Sequence, residues 1–166
     1  MVYKDIVSAR ENIAKRYSII SLLLFVGGVT HAILFWPIRA AIAVFLGGMI
    51  IVFVAEVIVA KGNLVIHHVE PKFVDVPIYV LFGWPATVYI LFRLALFVGD
   101  GMVAVGLTGI IAVLYDIPTE QNGLEHELWE YTEAGRGPQF NGVPWWNFAG
   151  WFVISAVTAS LALPFL

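Results

Sequence analysis

The sequence predicts an all-α integral membrane protein, a bundle of about five transmembrane helices with a parallel internal repeat. Three observations predict it. Of the 166 residues 60% are hydrophobic and only 13% are charged, whereas a soluble domain carries about 25% charged residues; the mean hydropathy is +0.88. The apolar positions gather in runs of about 20, the length that crosses a hydrocarbon layer roughly 30 Å thick. Finally, two polar loops carry the same landmarks at the same spacing.

The first 16 residues hold four of the nine basic residues, Lys4, Arg10, Lys15 and Arg16, with Val2, Ile6, Ala9 and Ile13 at helical spacing, so 1–16 reads as an interfacial helix. The apolar run after it lacks a convincing small-residue cleavage site, and is read as a first span rather than a cleaved leader. Spans are expected at 17–36, 39–60, 78–98, 102–115 and 146–166, with Pro37, Gly62, Gly99 and Pro144 as punctuation. The fourth is short, about 14 residues or roughly 21 Å at 1.5 Å per residue. The whole of 1–166 is then one transmembrane domain with polar loops at 61–77 and 116–144.

Basic residues set the orientation. With the N-terminus inside, Lys4, Arg10, Lys15, Arg16, Lys61, Lys72 and Arg136 are cytoplasmic and only Arg39 and Arg93 lie opposite, the asymmetry expected of a multi-pass cell-membrane protein. Both long loops then share the cytoplasmic face. In the first, Val76-Pro77 is followed after five residues by Gly83-Trp84; in the second, Val143-Pro144 is followed after five by Gly150-Trp151. Each loop also follows a carboxylate, Glu56 or Asp116, and holds a His-Glu stretch. A helix–loop–helix unit repeated in one orientation is one reading; the plainer one is that Val-Pro opens a helix and Gly-Trp packs at an interface.

The chain has no cysteine, which excludes disulfides, thiolate metal sites and cysteine nucleophiles. A net charge of −3 and the lack of a basic stripe exclude nucleic acid as an expected partner. No triad order, phosphate loop or dinucleotide fingerprint is present, and no cofactor is expected.

Chemistry, if any, belongs to the loop face. Glu56 lies inside the second span, where an ionisable group is a functional candidate or a snorkelling carboxylate; Asp116 is taken as its counterpart. A carboxylic acid that keeps its proton can act as a general acid. His67, His68, Glu70, Glu125, His126 and Glu127 make either a His/carboxylate metal site or interface histidines beside an acidic face. Trp84, Trp129, Trp145, Trp146 and Trp151 concentrate near the same face, as an interface belt or as a pocket of indole faces that stabilises positive charge. Asn147 could orient a water there. His31 reads as a packing residue.

The segment 116–152, with Asp116 near a helix end and then Gly142-Val143-Pro144, Asn147 and Gly150-Trp151, resembles the carotenoid-biosynthesis membrane proteins that include the CruF-type carotenoid hydratases. Residues 56–84, with Glu56, Gly62 and Val76-Pro77, look like that family's upstream region. The resemblance implies addition of water to a terminal double bond of a linear carotenoid. On that scheme Glu56 and Asp116 are acid and base, His67 or His126 orients water, and Trp84, Trp129, Trp146, Trp151 and Asn147 line the substrate. Alternatives are a non-catalytic subunit of a larger membrane complex and a His/Glu metal-binding membrane protein. Partners expected are the lipid bilayer, a polyene or isoprenoid substrate and, for a short bundle, a second copy or complex subunits. The orientation is testable because the chain lacks cysteine: a cysteine placed in the second polar loop should resist impermeant thiol reagents applied to intact cells, and labelling from outside would reverse the topology.

Overall fold

The computed structural model describes residues 2–166, with side chains described from Arg10 onward. Among them, five helical segments are long and apolar enough to cross a membrane. The first helix, α1, runs Val2–Phe35 without a break. No proline or glycine precedes Gly27, so nothing in the chain ends a helix at residue 16; the expected interfacial segment and first span are one rod, of which Arg10–Phe35 is the spanning part. Pro37 ends it. The second span, Ile38–Lys61, is assembled from α2 (Ile38–Ile42), a π-helical turn (Ala43–Gly47) and α3 (Gly48–Lys61). The others are α4 (Ile78–Ala95), α5 (Gly101–Glu125) and α6 (Trp145–Ser160), the last continued by a 3-10 turn at Leu163–Phe165.

One boundary moves by ten residues, and it matters for the site. The fourth span does not stop at Tyr115: α5 continues to Glu125 and holds 25 residues, about 37 Å. The polar stretch 116–125 is therefore helix, and the second loop starts at His126. Asp-Ile-Pro reads locally as a helix end, because an interior proline loses one backbone hydrogen bond and crowds the preceding turn, but the buried positions Asp116, Glu120 and Gly123 continue one inward stripe on both sides of Pro118.

The two loops are built with matching bonds. At the end of α3, Asn63 adopts φ +52° and Leu64 N–H donates back to Val59 O at 3.0 Å; at the end of α5, Glu127 adopts φ +52° and Leu128 N–H donates to Gly123 O at 2.9 Å. Both are Schellman closures with a leucine after the left-handed residue. Strands β1 (Val65–His67) and β4 (Trp129–Tyr131) follow, paired antiparallel with Val65 opposite Tyr131 and His67 opposite Trp129. The ladder is extended at both ends in the same way, His68 N–H to Leu128 O at 2.8 Å and Thr132 N–H to Leu64 O at 3.1 Å. Two hairpins come next, β2 (Lys72–Phe73) with β3 (Val76–Pro77), and β5 (Gln139–Phe140) with β6 (Val143–Pro144). Their turns place Val74 and Asp75, or Asn141 and Gly142, at positive φ, the type I′ pattern. Each hairpin hands over to a helix whose first N–H is held alike, Ile78 to Pro71 O and Trp145 to Pro138 O, both at 2.9 Å. Pro77 and Pro144 are the extended N-cap residues of α4 and α6, one position earlier than the first helical turn.

Helix contacts are made through small residues, as membrane packing favours. A Cβ on Gly48 of α3 would lie 2.9 Å from Thr158 of α6 and 3.2 Å from Pro85 of α4. Two cores result: one deep, around Val44, Val52, Phe92 and Ala112, and one at the loop face, around Val65, Leu128, Val143 and Phe148. Gly123 lets the second loop close onto α5, since a Cβ there would overlap the Trp129 ring. Gly123→Ala should therefore lower the thermal midpoint, by about 1–3 kcal/mol of overpacking, while Gly106→Ala, where the added Cβ meets nothing within 4 Å, should be neutral or stabilising by up to about 1 kcal/mol. Thermal scans of both variants in the same detergent check the contrast.

Candidate active site

Below the β1–β4 ladder the helices enclose a cavity of about 170 Å³. Glu56 reaches it from α3, Asp116 and Glu120 from α5, His67, Trp129 and Tyr131 from the two strands, Trp84 from α4, and Trp146, Asn147 and Trp151 from α6. Three carboxyl groups thus face one space, 9%, 2% and 5% exposed for Glu56, Asp116 and Glu120. Among the described residues no lysine or arginine lines it.

Each carboxyl is held by a donor from another element. His67 Nε2 lies 3.0 Å from Glu56 Oε2. Asn147 Nδ2 donates to Asp116 Oδ2 at 3.2 Å. Glu120 Oε2 accepts from both Trp129 Nε1 at 2.9 Å and Tyr131 OH at 2.8 Å, so its Oε1 is the oxygen left for the cavity. Burial first, and then the neighbouring Glu120, push the Tyr131 hydroxyl well above the usual tyrosine range, which keeps it a neutral donor at any physiological pH. The Glu56–His67 and Glu120–Tyr131 pairs span the same sequence distance, each eleven residues. At the centre, the Trp84 and Trp151 rings approach to 3.7 Å between centroids at 42°. Among the described residues, Trp84 Nε1, Trp151 Nε1 and His67 Nδ1 are buried with no hydrogen-bond partner in the protein, so all three are free to meet a ligand or water oxygen.

The structure thus brings together Glu56, Asp116, His67, Trp84, Trp129, Trp146, Asn147 and Trp151. It does not bring in His126, whose Nδ1 bonds its own helix at Asn122 O, 2.8 Å away, because α5 carries it past the cavity to the loop surface. The six residues of the metal alternative are not gathered into one cluster, and among the described residues no group of three or more His, Asp or Glu is placed to hold a metal ion. His68 instead faces Glu130 at 3.5 Å, Glu70 pairs with Lys72 at 3.3 Å, and Glu125 and Glu127 are exposed. The residues that sequence reading missed are Glu120 and Tyr131. Asp116 and Glu120 stand four apart, on one helix face, a signal hidden by ending the helix at Tyr115.

Residues 66–165 match the family model described as carotenoid biosynthesis protein. No curated protein matches the chain, and no solved structure matches it. The double donor on Glu120 gives a direct test of the site's wiring: Tyr131→Phe should cost about 1–3 kcal/mol, the price of a lost buried hydrogen bond, read as a lowered unfolding midpoint. With Glu120→Gln already present the same change should cost less, and equal costs in both backgrounds would mean the bond is not energetically coupled.

Proposed function

The chain belongs to the carotenoid biosynthesis family, and from that premise we propose that this multi-pass membrane protein adds water to the terminal carbon–carbon double bond of a linear carotenoid. The observation that carries the reading is the convergence of three carboxyl groups and a histidine on an apolar, tryptophan-lined cavity at membrane depth. Hydration of a trisubstituted alkene needs a proton donor, a surface that tolerates a carbocation, and a placed water.

In the proposed sequence Asp116, steadied by Asn147, gives its proton to the less substituted alkene carbon. The π electrons form the new C–H bond and leave a tertiary cation on the neighbouring carbon. The Trp84 and Trp151 faces and the Glu120 carboxylate stabilise that cation. A water whose position is set by His67 and Glu56 supplies the C–O bond, and its extra proton passes to the His67–Glu56 pair and eventually restores Asp116. The sum is alkene plus water to tertiary alcohol, with no redox change and no further reactant. On this reading the loop face lies on the cytoplasmic side.

The matched closures, ladder ends and hairpins also support reading α3–β1–β2–β3–α4 and α5–β4–β5–β6–α6 as two copies of one unit, related by an axis along the membrane normal. On that reading Glu120, not Asp116, is the counterpart of Glu56, and Tyr131 that of His67.

Asp116→Asn and Glu56→Gln should each lower hydration of lycopene by about a hundredfold or more, measured as tertiary alcohol formed in membranes containing equal amounts of each folded variant. Full activity in both would remove the catalytic assignment.

A further inference from the structure

Roof and wall of the cavity differ in a way that decides how a ligand reaches it. Above, Val65, Trp129 and Tyr131 are each less than a tenth exposed and are backed by the loop-face core of Leu128, Val69 and Val143. Of the lining residues only Tyr115 and Gly150 are exposed, and both stand on membrane-spanning helices. Tyr115 lies on the side that α1 partly screens, with Tyr17 of α1 bonded to Asn122 of α5 at 3.0 Å. Gly150 has no such cover. A Cβ built there would meet nothing within 4 Å, whereas one on Gly83, at the same place after the other Val-Pro, would lie 2.6 Å from Ser21 Oγ of α1. Beside Gly150, Ala149 is exposed and Val153 is 53% exposed. Deeper in the membrane the gap between α3 and α6 is shut, with Gly47 against Leu161 and Gly48 against Thr158.

Size gives the second argument. A cavity of roughly 150 Å³ holds one benzene, so the 170 Å³ here admits the end of a long hydrocarbon and not the chain behind it. The remainder must stay in the bilayer, joined to the bound end through an opening at membrane depth. Gly150 is five residues into a helix that begins at Trp145, about 8 Å below the loop face at 1.5 Å per residue.

We propose that the flank of α6 beside Gly150, facing α3, is a lateral doorway through which the end of a linear unsaturated hydrocarbon enters the cavity from the lipid. The identity of that occupant rests on the carotenoid reading above; the doorway rests on the roof, the cavity size and the uncovered glycine.

The test uses the full chain in lipid nanodiscs and follows lycopene association by quenching of tryptophan fluorescence, alongside alcohol formation. Gly150→Leu should slow association by about tenfold or more. Gly106→Leu, equally open but away from the cavity, should leave it unchanged. Because the chain has no cysteine, Gly150→Cys separates blockage from misfolding: attaching a bulky maleimide should slow its lycopene association well below that of the same variant left unmodified. Unchanged association in Gly150→Leu and in the alkylated Cys variant would overturn the doorway, and if alkylation changed only the oligomeric state the flank would belong to a partner helix instead. Failure of the hydratase reading looks different. Lycopene binding that is sensitive to position 150 but yields no alcohol keeps the doorway and removes the hydration.

Discussion

Within a bilayer, packed helices have little hydrophobic reason to hold one register over another, because lipid is as apolar as leucine. The β1–β4 ladder supplies what packing lacks. It ties the end of α3 to the end of α5 by directional backbone bonds at the loop face, and its register puts His67 opposite Trp129 and Val65 opposite Tyr131. Of these, His67 meets Glu56, and Trp129 and Tyr131 meet Glu120. A one-residue slip would turn each of them to the other face of the ribbon, leaving two carboxyls at membrane depth without their donors.

Acids at that depth are costly unless partnered, and here the partners are neutral donors and a histidine instead of lysine or arginine. An ammonium or guanidinium beside a carboxyl group would favour its charged form. Indole, phenol, amide and imidazole groups hold the carboxyl oxygens in place while leaving proton exchange possible. Surface ion pairs of the ordinary kind do occur, as between Lys61 and Asp75 at 2.8 Å, but both partners are largely exposed and such pairs contribute little. Lys61 holds the Asp75 carboxyl below its usual range without bearing on the cavity.

The spans were legible because apolar length is a direct readout of membrane thickness, and most of the site was legible because polar residues are rare enough here to be weighed singly. What escaped was the part that depends on three dimensions. Pro118 looks like a stop in sequence, yet the buried stripe of Asp116, Glu120 and Gly123 continues the helix through it. Asn141-Gly142 is a strong type I′ hairpin signal and could have placed β5 and β6, but its counterpart Val74-Asp75 has no such signature; a β-branched residue at positive φ is disfavoured locally, and Val74 adopts φ +51° only within its completed hairpin. His126 enters the sequence reading through the His-Glu stretch that each loop holds after its carboxylate. Nothing in its neighbours reveals that α5 outlasts the cavity.

If the two halves are read as copies, their differences carry the chemistry. The shared features, a carboxyl clamped from the following strand and a tryptophan at the centre, are present twice as Glu56 with Trp84 and Glu120 with Trp151. The Asp116–Asn147 pair is present once: the matching positions on α3 and α4 are Val52 and Val80, and Val52 is fully buried in the apolar core. The uncovered glycine is also present once, at Gly150, because α1 screens its counterpart. A symmetric cavity would offer an entering chain two equivalent approaches and no preferred direction for proton delivery. One added acid and one missing cover break that equivalence together: the doorway fixes the side from which the hydrocarbon arrives, and the single Asp116–Asn147 pair fixes the wall from which, in the proposed reaction, its proton comes.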